Sequence, residues 1–276
     1  MMGSSPTMGS DNAVTVQFDD VSKWYPTTGD PVHAVDRVNL ELHAGEFVSI
    51  LGPSGCGKST LMLMLAGLVP ITSGSIRVGA TSITRPYTDL GIVFQDPVLL
   101  DWLDVTGNIL LQAKMRHLEM GYARQRASEL IELVGLEEFE TSRPYELSGG
   151  MRQRVAICRA LVHDPPLLLM DEPFGALDAL TRDQLNLDLL DIWERNRQLA
   201  MFVTHSIAEA VFLSDRVVVM SPRPGRIEEV IDIDLPRPRP LSIRETPEFG
   251  AYASRIRTLF SELGILKPET VEEKEK

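Results

Sequence analysis

Residues 47–59 limit the possible folds of this chain more than any other stretch, because an apolar run leads directly into a glycine-rich segment. The run Phe-Val-Ser-Ile-Leu at 47–51 predicts a buried parallel strand. Residues 52–59 read Gly-Pro-Ser-Gly-Cys-Gly-Lys-Ser and fit the pattern G-x-x-x-x-G-K-[ST]. In that pattern the glycines let successive backbone amides turn toward one anion at the start of a helix. The sequence therefore predicts a strand, a phosphate-binding loop and a helix in succession.

The residues of this loop have distinct expected roles. Lys58 can reach the outer phosphates of a nucleotide, and the Ser59 hydroxyl can ligate Mg²⁺. Cys56 occupies a variable position of the pattern, so we expect a bystander rather than a nucleophile. A glycine-rich turn with a solvated lysine is the alternative, and the flanking strand and helix argue against it. The predicted nucleotide-binding residues in this stretch are Gly52, Pro53, Ser54, Gly55, Cys56, Gly57, Lys58, Ser59 and Thr60.

Apolar and alternating runs recur along the chain and predict further strands. They lie at residues 14–18, 38–42, 76–78, 91–94, 167–170, 201–204 and 217–220. Helices are predicted over about 58–68, through most of 105–145 and near 252–263. Because strands alternate with helices, the predicted core is α/β with a mostly parallel sheet.

Composition and charge narrow the classes of function. A formal net charge of −12 provides no basic surface for a nucleic-acid partner. The apolar runs are far shorter than the ~20 residues that span a bilayer, and no secretory signal opens the chain. Two cysteines cannot form a disulfide framework. We therefore expect a soluble cytosolic protein with a sizeable core.

Two adjacent carboxylates, Asp171 and Glu172, come directly after the apolar residues 167–170. In open α/β sheets the carboxyl ends of the strands are where ligands bind. Because side chains alternate along a strand, the two carboxylates can serve different purposes. Asp171 suits the Mg²⁺ shell, and Glu172 suits orienting or deprotonating an attacking water. Alone the pair would be an ordinary strand end, but together with the phosphate loop it indicates a catalytic site.

Residues 147–151, Leu-Ser-Gly-Gly-Met, predict a second helix start that can bind an anion. Ser148 is a good N-cap, and Gly149 and Gly150 leave the first backbone amides of the helix uncovered. By itself this segment would be an ordinary capped helix. The helical face expected to pack inward holds Met151, Val155, Cys158 and Val162.

In their order along the chain, these segments resemble the ATP-binding subunit of ABC transporters. The resemblance covers about residues 14–230 and rests on the phosphate loop, on Leu-Ser-Gly-Gly and on Leu-Leu-Leu-Met-Asp-Glu-Pro at 167–173. It implies a P-loop NTPase (RecA-like) α/β core with an antiparallel β subdomain and an inserted α-helical subdomain. It also implies ATP and Mg²⁺ as cofactors.

A domain organisation follows from the resemblance and the composition. Residues 1–13 are predicted to form a disordered tail. Residues 14–235 are predicted to form the ATPase domain, with the helical subdomain at about 96–163. Residues 236–276 are predicted to be a C-terminal extension with one helix.

Further site residues are implied only by the resemblance. Tyr25 takes the position of the aromatic residue that stacks on adenine, and Trp24 is the rival aromatic. Gln95 would contact Mg²⁺ or the attacking water, and His205 matches the switch histidine. Residues 176–178 resemble the D-loop, although Gly175 stands where many members have serine. The implied catalytic residues are Lys58, Gln95, Glu172 and His205, the implied metal ligands are Ser59, Gln95 and Asp171, and Ser148, Gly149 and Gly150 would close over the γ-phosphate held by the opposite subunit.

Two segments resemble the nitrate, sulfonate and taurine importer branch of this family. They are residues 94–102, where Asp101 replaces the usual proline, and Met-Ser-Pro-Arg-Pro-Gly-Arg-Ile at 220–227. The resemblance to ABC transporter subunits implies a head-to-tail homodimer with two ATP sites, permease subunits in the membrane and, indirectly, a periplasmic or lipoprotein solute-binding protein. It implies a peripheral position on the cytoplasmic face of the inner membrane. An apolar cluster, Leu99, Leu100, Trp102 and Leu103, either lines the groove that receives a permease helix or belongs to the core of the helical subdomain.

The same motifs are compatible with two other functions. One is an importer ATPase for a different small solute, and the other is a non-transport ABC ATPase acting on DNA or ribosomes. The latter class carries paired cassettes, long coiled coils or zinc sites, whereas this chain has one cassette and two cysteines. A scaffold that has lost hydrolysis is a third alternative. The intact Lys58, Asp171, Glu172 and His205 argue against it.

Overall fold

A six-stranded sheet forms the centre of the computed structural model, which describes residues 14–266. The predicted tail at 1–13 lies outside the described residues. In spatial order the strands are β10, β9, β3, β8, β7 and β6, and every neighbouring pair is parallel except β10 with β9. Their bounds are Phe47–Leu51 (β3), Gly91–Val93 (β6), Leu167–Asp171 (β7), Leu199–Thr204 (β8), Arg216–Met220 (β9) and Ile227–Asp232 (β10). The prediction of an α/β core with a mostly parallel sheet is therefore confirmed.

A second sheet of four antiparallel strands packs beside the first, in the order β2, β1, β4, β5. The strands are Val16–Tyr25 (β1), Val32–Leu42 (β2), Ser73–Val78 (β4) and Thr81–Ser82 (β5). Both β1 and β2 are longer than their alternating patterns predict. The register shifts after Phe18 and after Val21, and Asp20 and Arg37 adopt positive φ angles. Such bulges break the period of two on which the prediction depends.

Seven helices cover the sheets in residues 14–266. Their bounds are Lys58–Leu65 (α1), Val105–Met115 (α2), Met120–Leu133 (α3), Gly149–Leu161 (α4), Ala179–Asn196 (α5), Ile207–Leu213 (α6) and Pro247–Glu262 (α7). Helix α1 ends three residues before the predicted Leu68, because the chain turns at Gly67 with a φ of +70°. Helix α7 begins earlier than predicted because Thr246 caps it and Pro247 occupies its first position. No helix within the described part of the chain is long and apolar enough to cross a membrane.

The two faces of the central sheet bury two hydrophobic clusters. Along β3, Phe47 and Leu51 belong to one cluster, while Val48 and Ile50 belong to the other. The first cluster also contains buried residues of α2 to α7, and the second lies between the two sheets around α1. The sheet is thus buried on both faces, as expected for parallel strands. Helices α2, α3 and α4 fall within the range 96–163, and their separation as a subdomain stays a prediction.

Candidate functional site

The phosphate loop lies between the carboxyl end of β3 and the start of α1, where the sequence predicts it. Gly55 and Gly57 adopt φ angles of +75° and +107°, which residues other than glycine rarely adopt. A Cβ at Gly57 would lie 2.8 Å from the backbone oxygen of Ala34, so β2 also excludes a side chain there. The loop is therefore fixed by its backbone and directs amides of the helix start toward a single region.

Lys58 is buried rather than solvated, with only 4% of its surface exposed. Its Nζ donates hydrogen bonds to the carbonyl oxygens of Gly52 (2.9 Å) and Pro53 (3.0 Å). The same nitrogen lies 3.7 Å from Oε1 of Glu172. A buried ammonium needs such partners because its desolvation is costly. The predicted phosphate ligand is thus held inside the loop and beside the predicted catalytic carboxylate.

Asp171 is the last residue of β7 and lies against the phosphate loop. The Ser59 hydroxyl donates a 2.8 Å hydrogen bond to Oδ1 of Asp171, across 112 residues of sequence. Burial raises the pKa of Asp171, and the hydrogen bond from Ser59 opposes that shift. A hydroxyl and a carboxylate in contact are hard oxygen ligands of the kind Mg²⁺ prefers, so the two predicted ligands fit this ion.

Glu172 follows β7 with a positive φ of 42°, which turns the chain out of the sheet. Its backbone nitrogen donates to the oxygen of Val203 in β8 at 2.9 Å, which secures this turn. The Glu172 side chain has other partners than that of Asp171, which contacts Ser59. Its Oε2 lies 2.9 Å from Nδ1 of His205, which follows the end of β8. Left-handed backbone at a non-glycine residue is typical of functional sites.

Gln95 comes after β6 and is exposed. A Cβ at Gly175 would lie 3.4 Å from Nε2 of Gln95 and 3.8 Å from Oε2 of Glu172. The side chains of Gln95 and Glu172 therefore both approach Gly175, the position where many family members have serine. The carboxyl ends of β3, β6, β7 and β8 thus bring four of the predicted residues, Lys58, Gln95, Glu172 and His205, to one edge of the sheet.

The two candidate aromatic residues point to different neighbours. The Tyr25 hydroxyl lies 3.4 Å from Oγ1 of Thr60 in the first turn of α1. Trp24 instead stacks on His33, with ring centroids 3.7 Å apart. The nitrogen of Lys23 lies 4.8 Å from the centre of the Tyr25 ring. Tyr25, rather than Trp24, is therefore the aromatic residue beside the phosphate loop.

The second predicted anion-binding segment begins α4. Ser148 is its N-cap, and its Oγ accepts a hydrogen bond from the Met151 nitrogen at 3.2 Å. A Cβ at Gly150 would lie 2.6 Å from Cγ2 of Thr181, and one at Gly149 would lie 3.4 Å from Cδ2 of Leu177. This helix start therefore adjoins the D-loop and α5 of its own chain. The inward face is confirmed, since Val155, Cys158 and Val162 are buried and Met151 packs against the same cluster.

A buried polar network beside His205 is absent from the sequence prediction. The Thr204 hydroxyl donates to Oε2 of Glu209 at 2.6 Å. Arg182 lies 3.6 Å from Oε1 of Glu209 and donates to the backbone oxygen of Leu177 at 2.9 Å. Burial raises the pKa of Glu209. The spacing Ser-x-x-Glu at 206–209 could have indicated a helix start, but the Glu209 side chain turns to Thr204 rather than back to its N-cap.

Comparisons with known proteins agree with this geometry. The family model described as "ABC transporter" matches residues 35–175. An uncharacterized ABC transporter ATP-binding protein of Methanocaldococcus jannaschii is 44% identical over 258 residues, which is 94% of this chain and 93% of the relative. A taurine import ATP-binding protein of Rhizobium johnstonii is 46% identical over 84% of this chain and 90% of the relative. An aliphatic sulfonates import ATP-binding protein of Bacillus cereus is 46% identical over 92% of this chain and 99% of the relative.

Solved structures give the same result. The dimeric structure of a bacterial ABC transporter cassette superposes with a TM-score of 0.71 at 31% identity, covering 80% of this chain and 99% of that chain. A post-hydrolysis state of the same cassette, bound to ADP and Pi, has a TM-score of 0.70 at 30% identity, with the same coverage. The predicted P-loop NTPase fold is therefore confirmed, and the chain belongs to the ABC transporter family as an ATP-binding cassette.

Proposed function

We propose that this chain is the ATP-binding and hydrolysing subunit of an ABC importer for a small oxyanion-type solute. The observation that carries the proposal is the convergence of Lys58, the Ser59–Asp171 pair and the Glu172–His205 pair at one edge of the sheet. Relatives named for taurine and for aliphatic sulfonates favour a sulfonate-type solute. Nitrate, the third solute of the predicted branch, stays a prediction.

The phosphates of ATP are bound by the loop amides and by Lys58, whose present partners are two loop carbonyls and the Glu172 carboxylate. Tyr25 lies beside the same loop and stacks on the adenine. Ser59, Asp171 and Gln95 would hold Mg²⁺, which would neutralise phosphate charge when bound. Ser54, Gly55 and Thr60 complete the surroundings of the phosphates.

Glu172 is the group that orients the attacking water and accepts its proton. His205 lies 2.9 Å from one oxygen of this carboxylate and Lys58 lies 3.7 Å from the other, and together they hold it in place. A carboxylate fixed between two nitrogen groups is pre-organised for this task.

A homodimer completes the site. The start of α4, with Ser148, Gly149 and Gly150, closes over the γ-phosphate held by the opposite subunit, so that two ATP molecules lie between two chains arranged head to tail. The dimeric state of the similar cassette structure supports this assembly. Amides at a capped, glycine-rich helix start are suited to a terminal phosphate.

The partners in the membrane are permease subunits, with a solute-binding protein delivering the solute to them. Trp102 and Tyr145 are 72% and 74% exposed, and Val98 is 61% exposed. The Arg143 side chain donates to the backbone oxygen of Trp102 and so connects the two segments. Leu99, in contrast, packs against the hydrophobic core. An exposed apolar surface of this kind fits a permease helix and supports the proposal of a peripheral position on the cytoplasmic face of the membrane.

Replacing Glu172 by glutamine tests the proposed hydrolysis. Glutamine keeps the size of the side chain but is a far weaker base, so the rate of phosphate release should fall by ~10²–10⁴-fold. ATP binding should survive, since it depends on Lys58, Ser59 and Asp171. Size-exclusion chromatography with Mg-ATP should then show a longer-lived dimer than in the wild type.

The matched control for this variant is Glu41→Gln, because Glu41 also lies beside a histidine but is 58% exposed and remote from the loop. Its ATPase rate should equal that of the wild type. If Glu172→Gln hydrolyses ATP at close to the wild-type rate, Glu172 is not the catalytic base. The importer role is tested by reconstituting the chain with a permease and a solute-binding protein of the taurine or sulfonate type, where taurine or an alkanesulfonate should stimulate hydrolysis.

A further inference from the structure

The segment Ser221–Arg226, between β9 and β10, contacts the phosphate loop at Gly55 and Cys56. Gly225 pairs with β2 as an isolated parallel bridge opposite Val35. Its nitrogen donates to the oxygen of Ala34 at 3.0 Å, and its oxygen accepts from the nitrogen of Asp36 at 3.0 Å. The segment is therefore joined by its backbone to the antiparallel sheet, although it follows a strand of the central sheet.

Gly225 also touches the phosphate loop so closely that no side chain fits. A Cβ at Gly225 would lie 2.0 Å from the backbone oxygen of Cys56. That oxygen belongs to the peptide group between Cys56 and Gly57, which is planar. Because the carbonyl of a trans peptide points opposite to its N–H, holding the Cys56 oxygen toward Gly225 directs the Gly57 amide to the side of the loop away from Gly225. Gly57 is the N-cap of α1, so its amide is one of those available to a phosphate.

An ion pair keeps Gly225 in this position. Arg226 donates to Oδ2 of Asp36 through Nε at 2.7 Å and carries its Nη2 to 2.6 Å from the same oxygen. The Asp36 side chain is only 10% exposed, whereas that of Arg226 is 55% exposed. Asp36 thus binds Gly225 through its backbone nitrogen and the next residue through its side chain. A partly buried pair of this geometry is stronger than an exposed one.

Two more contacts close the segment on itself and on the loop. Ser221 Oγ accepts from the Arg226 nitrogen at 3.0 Å and donates to the Pro224 oxygen at 3.2 Å. Nε and Nη2 of Arg223 both lie 3.2 Å from the oxygen of Gly55 and donate to it. Gly55 and Cys56 are adjacent loop residues, so the segment contacts two successive carbonyls of the phosphate loop.

We propose that Ser221–Arg226 is a positioning element of the nucleotide site, in which Gly225, held by the Asp36–Arg226 pair, sets the orientation of the Cys56–Gly57 peptide. This inference rests on the proposed function, since it assumes that the loop binds ATP. The element acts on nucleotide affinity and does not touch the groups assigned to proton transfer. It also gives a physical role to the motif at 220–227, which otherwise serves only to mark a branch of the family.

Gly225→Ala is the direct test, because the added methyl group must displace the Cys56 carbonyl. Titration with a fluorescent ATP analogue in the presence of Mg²⁺ should show affinity at least tenfold weaker than in the wild type. The KM for ATP should rise by a similar factor while kcat stays within about twofold. The control is Gly250→Ala in α7, where a Cβ would meet nothing within 4 Å. This control should bind and hydrolyse ATP like the wild type.

A second set of variants decides the matter if Gly225→Ala fails to fold. Arg226→Met and Asp36→Asn should each weaken ATP binding by three- to tenfold. The affinity of the double variant for ATP should be no lower than that of the more strongly affected single variant. Arg255→Met is the matched control, since Arg255 is also 55% exposed and pairs with Glu229 away from the loop. If the wild type does not bind the analogue, the proposed function fails. If the wild type binds and the folded variants bind within twofold of it, this inference is overturned.

Discussion

The nucleotide-binding edge of the sheet and the C-terminal residues 233–266 are held in place by different means. At the nucleotide-binding edge, backbone conformation dominates: Gly55 and Gly57 adopt positive φ angles, and Lys58 donates to carbonyls within its own loop. The C-terminal residues are instead held by arginine side chains that reach distant backbone and carboxylate groups. Within the phosphate loop these contacts are local in sequence and directed at a ligand, whereas the arginine contacts are mostly long-range and directed at the core. The difference predicts that substitutions at the nucleotide-binding edge mainly lower the ATPase rate, whereas substitutions among the C-terminal residues mainly lower the free energy of unfolding.

Arg239 illustrates the second arrangement. It is 2% exposed, and its guanidinium donates to the oxygens of Phe212 (2.9 Å), Ser214 (2.8 Å) and Leu235 (3.1 Å). The first two acceptors lie at the end of α6, so Arg239 satisfies carbonyls that a helix terminus leaves unpaired. Burial lowers the pKa of Arg239 to about 10, which leaves it charged at neutral pH.

Neighbouring arginines act in the same way. Arg237 donates to the oxygen of Leu213 and to Asp215, both at 2.7 Å, and lies 4.5 Å from the ring of Trp193. Arg244 pairs with Asp183 in α5 and lies over the ring of Phe212. The C-terminal residues are thus attached to α5 and α6, the helices that follow the D-loop and His205.

Lys58→Ala should have the largest effect on activity. Removing the proposed lysine contact to the outer phosphates should lower the ATPase rate by at least ~10²–10³-fold, the effect of deleting one pre-organised donor. The loss of two hydrogen bonds should lower the free energy of unfolding by about 1–2 kcal/mol. Phosphate release and thermal unfolding measure the two properties. A folded variant with full turnover would contradict the assignment of Lys58.

Arg239→Met should reverse this pattern. Methionine preserves much of the volume but leaves several buried carbonyls without donors, at a cost of roughly 3–5 kcal/mol in the free energy of unfolding. At about 2–4 °C per kcal/mol for a chain of this size, the melting temperature should fall by roughly 6–20 °C. The ATPase rate per folded molecule should stay within about twofold of the wild type.

Arg257→Met is the control for that experiment, because Arg257 is exposed on α7, within the same C-terminal residues. Its melting temperature should match that of the wild type. Should Arg239→Met keep its stability but lose activity, the proposed division between the two regions would be wrong, and the C-terminal residues would belong to the catalytic machinery.

How well each region can be predicted from the sequence depends on the same difference between local and long-range contacts. The bounds of β3 and the positions of Lys58, Asp171 and Glu172 are readable because each depends on a short local pattern. The burial of Lys58 is not, since it depends on carbonyls that face inward only once the loop has closed. The strand β10 is also missed, because its residues Ile-Glu-Glu-Val-Ile-Asp form an exposed edge whose pairing with β9 involves a register shift.

The C-terminal arginines show the limit more clearly. Nothing in the sequence Leu-Pro-Arg-Pro-Arg-Pro at 235–240 indicates which groups its two arginines contact. In the structure Arg237 and Arg239 are turned inward, because the end of α6 and Asp215 provide acceptors that lie about 20 to 30 positions earlier in the chain. Local composition cannot predict contacts between residues that lie so far apart in the chain. The Thr204–Glu209 network beside His205 escapes prediction for a related reason, since its capping pattern indicates a different partner.

Thr246→Ala should have the smallest effect on stability of these variants. It tests how much a local helix cap contributes to the stability of the C-terminal residues compared with the long-range contacts of Arg239. Thr246 caps α7: its Oγ1 accepts from the Phe249 nitrogen at 3.3 Å and donates to the Ile243 oxygen at 2.7 Å. Losing an N-cap costs about 1 kcal/mol, which corresponds to a fall of about 2–4 °C in melting temperature. Thr246→Ser keeps the hydroxyl and should recover most of the loss in a thermal unfolding assay. A loss as large as that of Arg239→Met would mean that α7, through its local cap, supports the core as strongly as the buried arginine does.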